Sequence, residues 1–89
     1  EAADWGLVNK VVPHDMLMKE AGTLAAKLAV GPSQAFGRVK DMVHQSFGAS
    51  AEGQMELEAR MLADSTKTKD GQAGIESFVN KTKPVFSGR

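Results

Sequence analysis

Hydrophobic positions recur at helical spacing along most of this chain. After Pro13, residues Leu17, Ala21, Leu24, Ala25 and Leu28 fall at i, i+4, i+7, i+8 and i+11, a single helical stripe. The spacing predicts a helix over 14–30, with Asp15 as its cap. Gly31-Pro32 ends it and opens a second helix over 33–47, with Pro32 or Ser33 near its first turn. There Phe36, Val39, Val43 and Phe47 share one stripe, widened by Ala35 and Met42. Gly48-Ala49 breaks that helix, and Ser50 caps a third within 50–66. Its Met55, Leu57, Ala59, Met61 and Leu62 spread around so much of the circumference that cover on two sides is expected. A polar run, Ser65 to Lys69, leads to a last helix over 70–82 that Asp70 should cap and Pro84 should stop. A tail over 83–89 follows.

The opening is different. Glu1 to Trp5 reads as the last turn of a helix stopped by Gly6, and Leu7 to Val12 as an extended connector or edge strand closed by Pro13. A chain that begins in mid-element without Met has the pattern of a piece of something longer. The expected class is all-α: three main helices with a short C-terminal helix and tail, in one helical domain over 1–89. That set of faces is larger than one small bundle needs.

Composition narrows the partners. There is no cysteine, hence no disulfide framework and no thiolate metal site. No apolar run approaches the roughly 18 residues of a membrane span, and a cytoplasmic location is expected. The net charge of zero argues against nucleic acid as the main partner. The charge is uneven, however. Residues 1–64 carry six Lys/Arg against nine Asp/Glu, and residues 65–89 carry five against two. A neutral, 42% apolar small chain also tends to self-associate.

The carboxylates Glu52, Glu56 and Glu58 lie near one another on the third helix. Beside Arg60 and without an apolar enclosure they read as a solvated face, not an acid/base pair. His14 and His44 are thirty residues apart and have no ligand spacing, so no metal site is expected. No nucleophile elbow, phosphate-cradling loop or dinucleotide fingerprint occurs. No catalytic residue is therefore assigned. Phe78 and Lys81, at i and i+3, would share a helix face near Lys83. An aromatic ring beside a lysine can line an adenine pocket and meet a phosphate. The plainer reading makes Phe78 core and Lys81 solvated.

The stretch from Ala2 to Pro13 resembles the Ala-x-x-x-Gly-Leu-Val-x-x-Val-x-Pro segment of the enoyl-CoA hydratase/isomerase (crotonase) family. Ala21-x-x-Leu24-Ala25 ahead of Gly31-Pro32, with Lys40 beyond, continues the likeness. The end, from Asp70 to Phe86, is similar to the family's Asp-x-x-Glu-Gly-x-x-Ala-Phe-x-x-Lys-Arg-x-Pro-x-Phe terminus. Ala73 stands for the Glu of that pattern and Thr82 for its Arg, which leaves Lys81 and Lys83 as the cations.

The resemblance covers essentially the whole chain and implies a position within a larger enzyme. In the family an upstream core of β-β-α turns holds the acidic residues and the two backbone N–H groups of an oxyanion hole. All of these would precede Trp5-Gly6-Leu7-Val8. The chain itself would be the helical C-terminal region, which makes subunit contacts and closes over acyl-CoA. The resemblance implies that Phe78 and Lys81 approach the adenine and phosphates of coenzyme A. It also implies no resident cofactor, and a trimer or hexamer for the parent enzyme. The isolated chain is expected to be catalytically silent and to pair as a homodimer. The rival reading is a free-standing interaction module, with the Leu17/Leu24/Leu28 and Phe36/Val43/Phe47 stripes as a groove for a partner helix.

Overall fold

Short local signals start and stop each element. Gly6 takes a positive φ of 77°, so its N–H donates to the Ala3 carbonyl (3.1 Å) and the Leu7 N–H to the Ala2 carbonyl (2.9 Å). That pair of bonds is the glycine-ended helix stop, here closing a single turn. Residues 7–13 then run without strand pairing. Lys10 fixes them to the first helix through an ion pair with Glu20 at 2.6 Å.

The computed structural model describes residues 1–89 and contains four α-helices and no strand, so the class is all-α. They are α1 (Leu17–Ala29), α2 (Ser33–Ser46), α3 (Ala51–Thr66) and α4 (Lys69–Asn80). Asp15 does not cap α1. Pro13, with φ fixed at −54°, starts a 3-10 turn over His14–Met16 in which the Met16 N–H donates to the Pro13 carbonyl, and Asp15 lies inside it.

Ser50 caps α3, its Oγ accepting the Gly53 N–H at 3.1 Å. Ser65 and Thr66 finish α3, within the bounds expected for the third helix, and of the polar run only Lys67-Thr68 separates it from α4. Thr68, not Asp70, caps α4 by accepting the Gly71 N–H at 2.9 Å. The threonine wins because it sits one residue before the first helical turn, where a side-chain oxygen reaches the free N–H groups.

α3 packs against both α2 and α4, as its broad apolar face requires. Arg38 of α2 donates to Ser65 Oγ at 3.0 Å, and Gln54 Nε2 of α3 donates to the Met42 carbonyl at 3.2 Å. α1 packs on its own lead-in instead of on this three-helix unit.

The result has no buried hydrophobic side chain; the two buried residues are Asp70 and Ser77. The radius of gyration is 16.6 Å, against about 12 Å for a compact domain of this length. The accessible surface of 7502 Å² is about 2,500 Å² more than a compact monomer of this mass exposes. Phe47, Met18, Trp5 and both flanks of the α1 stripe stand in the open. The helices form, but the faces their sequence builds are left uncovered.

Candidate functional site

The C-terminal quarter is organised around α4 and the strap that returns along it. α4 stops at Asn80, not at 82, and the stop precedes Pro84 by several residues. Lys81 enters the left-handed region (φ 55°, ψ 40°). Its N–H donates to the Phe78 carbonyl (3.3 Å) and the Thr82 N–H donates to the Ser77 carbonyl (2.9 Å). This is the same reversal that Gly6 makes, performed by a residue with a side chain. A non-glycine residue in that region costs about 1 kcal/mol or more, so the surroundings must hold it there.

Phe78 and Lys81 are therefore linked through the backbone of this turn and do not share a helix face. Phe78 projects from the last turn of α4 and is 85% exposed. Lys81 is the exposed residue at the turn just beyond it. The Phe78 ring shares this openness with the other apolar side chains, none of which is buried.

From Lys81 the strap runs back against Ala73, Glu76, Ser77 and Asn80 of α4. Phe86 comes to lie over Gly74, where an added Cβ would stand 3.7 Å from the ring. The ring closes one side of a cleft of about 300 Å³ whose other walls include Pro32, Leu62 and Ile75. The tail aromatic thus docks on the chain's own helices.

Asp70 holds the far end. Its carboxylate accepts the Ser87 N–H (2.6 Å), the Ser87 hydroxyl (3.1 Å) and the Gly88 N–H (2.8 Å). Its own N–H donates to the Arg89 main-chain oxygen at 2.8 Å. Gln34 of α2 adds a bond from Nε2 to the Gly88 carbonyl, and Gly88 reaches this geometry at φ 80°. Asp70 is only 3% exposed. Sequence reasoning missed this role because an Asp ahead of a helix reads as a cap. The partner signal, Ser87-Gly88, lies a whole helix away.

The Ser87 N–H above all, aided by the Gly88 N–H, the Ser87 hydroxyl and the Arg89 charge, holds the Asp70 carboxyl below its ordinary 3.8 against the opposing effect of burial. A depressed carboxyl stabilises the fold fully above its unfolded value and loses that contribution as pH falls through the lower folded value. The clamp should therefore persist at pH 4–5 and open below the ordinary carboxyl range. In an NMR titration, the Ser87 and Gly88 amide shifts should move together, with a midpoint below 3.8. A midpoint above that value would contradict the geometry.

The other candidates stay apart. Glu56 pairs with Arg60 at 2.8 Å on an exposed face, and Glu58 accepts from Gln54. No group of three or more His, Asp or Glu side chains is placed to hold a metal ion, and no helix is long and apolar enough to cross a membrane.

The family model described as enoyl-CoA hydratase/isomerase matches residues 1–89. The chain belongs to the enoyl-CoA hydratase/isomerase family. It is 36% identical over 89 residues to a probable enoyl-CoA hydratase of Rhodobacter capsulatus, covering 100% of this chain and 35% of that protein. It is 33% identical over 87 residues to the mitochondrial enoyl-CoA hydratase domain-containing protein 3 of Rattus norvegicus, covering 98% of this chain and 29% of the relative. Among solved structures, a putative enoyl-CoA hydratase/isomerase from Mycobacterium abscessus superposes with a TM-score of 0.93 at 36% identity, over 99% of this chain and 34% of that one.

The chain thus spans about a third of the length of the curated relatives it matches, and the matched part is the C-terminal third of the crotonase-fold enzymes. The open faces of α1 to α4 acquire a reason from this. Their counterparts belong to chains about three times as long.

Proposed function

We propose that this chain serves as the C-terminal helical part of an enoyl-CoA hydratase/isomerase-like protein acting on acyl-CoA thioesters, as in fatty-acid or related acyl-CoA metabolism. In that role it contributes to oligomerisation and completes the coenzyme A pocket. The observation that carries the reading is the combination of near-complete superposition on a third of a hydratase/isomerase structure with the absence of any buried hydrophobic side chain. A segment shaped like its relatives yet without a core of its own is built to be covered by other protein.

The pocket half of the reading rests on chemistry. Coenzyme A offers a flat adenine and several phosphate charges. Phe78 offers an uncovered ring, and base–aromatic stacking is worth about 1–3 kcal/mol. Lys81 follows three residues on, at the turn just beyond α4, with Lys83 after it, at the end of the chain that carries the positive excess. Such a patch attracts a polyanion and receives its phosphate as a point charge. Lyase or isomerase chemistry would be performed by groups outside these 89 residues.

The isolated chain should accordingly be silent. Incubated with a short enoyl-CoA, it should give no hydration or double-bond shift above the uncatalysed rate. Turnover that grows in proportion to chain concentration would contradict the assignment.

A further inference from the structure

We propose that Asp70 is a positioning residue for the coenzyme A site, acting from the opposite end of α4 by holding the strap that fixes the backbone of Lys81. The proposal rests on the pocket reading given above and adds to it the group that pre-organises the lysine.

The geometry is that of a loop pinned at both ends. α4 is 12 residues long, which spans about 18 Å. Residues 81–88 must return over the same length, and an extended strand of that size reaches about 23 Å. The strap covers that length in a nearly extended form, with a modest excess. At one end the chain reverses through Lys81 at φ 55°, a conformation a lysine does not hold unaided. At the other, one carboxylate binds two successive N–H groups and a hydroxyl, while the adjoining N–H of Asp70 takes the Arg89 oxygen. Between the two anchors the strap is restrained by the Thr82 N–H bond to the Ser77 carbonyl, by Phe86 over Gly74 and by the side chains along Ala73 to Asn80, and Gln34 adds a bond to Gly88.

Releasing the Asp70 end leaves the reversal held only by its own two backbone bonds, to the Phe78 and Ser77 carbonyls. Lys81 then relaxes toward ordinary φ values, and the direction in which its side chain leaves the backbone is no longer set. Preorganised donors bind more tightly than mobile ones because their ordering cost is already met on folding.

Asp70 also gives the test a useful sign. Removing its negative charge from the basic end of the chain should, by electrostatics alone, strengthen binding of an anionic ligand. A positioning role predicts the reverse. D70N is one variant. S87P is the second: it deletes the Ser87 N–H and hydroxyl, leaves every charge in place and lies outside the helices, so it separates strap release from damage to α4.

Coenzyme A affinity would be measured by calorimetry for the 89-residue chain and both variants. The three-bond HN–Hα coupling of Lys81 would report φ. The expected result is a fall in affinity of about tenfold in each variant, with helix content unchanged and a Lys81 coupling that moves toward the averaged value. If the chain binds coenzyme A and D70N and S87P bind it as tightly or more tightly, the positioning role is overturned and the pocket reading stands. An unchanged Lys81 coupling in both variants also overturns it. If the unaltered chain does not bind coenzyme A, the pocket reading fails and takes this proposal with it.

Discussion

Gly71→Ala should unfold the junction between α3 and α4, at a cost of about 3 kcal/mol or more. A Cβ built at Gly71 would stand 2.0 Å from the Ser65 carbonyl oxygen, 2.9 Å from its carbon and 3.1 Å from the Thr66 Cα. These are backbone atoms, and the oxygen is not free to retreat. The Ser65 carbonyl accepts both the Thr68 N–H (3.2 Å) and the Thr68 hydroxyl (2.7 Å), and that same hydroxyl oxygen caps α4 by accepting the Gly71 N–H. Making room for one methyl group therefore breaks the cap and the two-residue link together. Overpacking penalties of 1–3 kcal/mol are ordinary where side chains can give way, and larger ones are expected where backbone must move.

The control is the same substitution at Gly37 of α2, where nothing lies within 4 Å of the added Cβ. There Ala should stabilise by about 0.5–1 kcal/mol, because glycine is the poorer helix former. Urea unfolding of the two variants should move the midpoint in opposite directions. A Gly71→Ala chain as stable as its parent would contradict the packing described for α3 and α4.

The second large effect is association. With no hydrophobic side chain buried and about 2,500 Å² of surface beyond that of a compact monomer, covering even 1,000 Å² of apolar area would be worth about 25 kcal/mol before ordering costs. Much of that is lost to the entropy of docking, yet the remainder strongly favours a covered state. The 89-residue chain alone should sediment as a dimer or larger at micromolar concentration and above, with Trp5, Phe47 and the α1 stripe protected. A single monomeric species across the concentration range would mean that the open faces are stable in water, and the oligomerisation half of the function would fall.

Most of the architecture was legible in the chain because it is written in short range. The Leu17-to-Leu28 and Phe36-to-Phe47 stripes, the Gly31-Pro32 break and the Ser50 cap are each decided within a turn or two of helix. The errors arose where a distant partner outweighed the local signal. Asp70 looks like a cap until Ser87 and Gly88 return along α4 to claim its carboxylate. Lys81 looks helical until the strap needs a reversal, after which it takes a conformation that glycine usually supplies. The polar run Ser65 to Lys69 ends with only two residues between helices, because Thr68 already supplies the cap of α4. Spacing put Phe78 and Lys81 on one helix face, but α4 ends at Asn80 and Lys81 lies in the turn beyond it.

The coenzyme A pocket is the central functional claim, and one titration reaches it directly. Coenzyme A would be added to the labelled 89-residue chain while the Phe78 ring and the Lys81 side-chain resonances are followed by NMR. Saturable shifts centred on Phe78, Lys81 and Lys83, with the ring moved upfield by stacking and the other helices undisturbed, are the predicted result. Titration that leaves Phe78 and Lys81 unmoved, or that shifts only residues of α1 to α3, would contradict it.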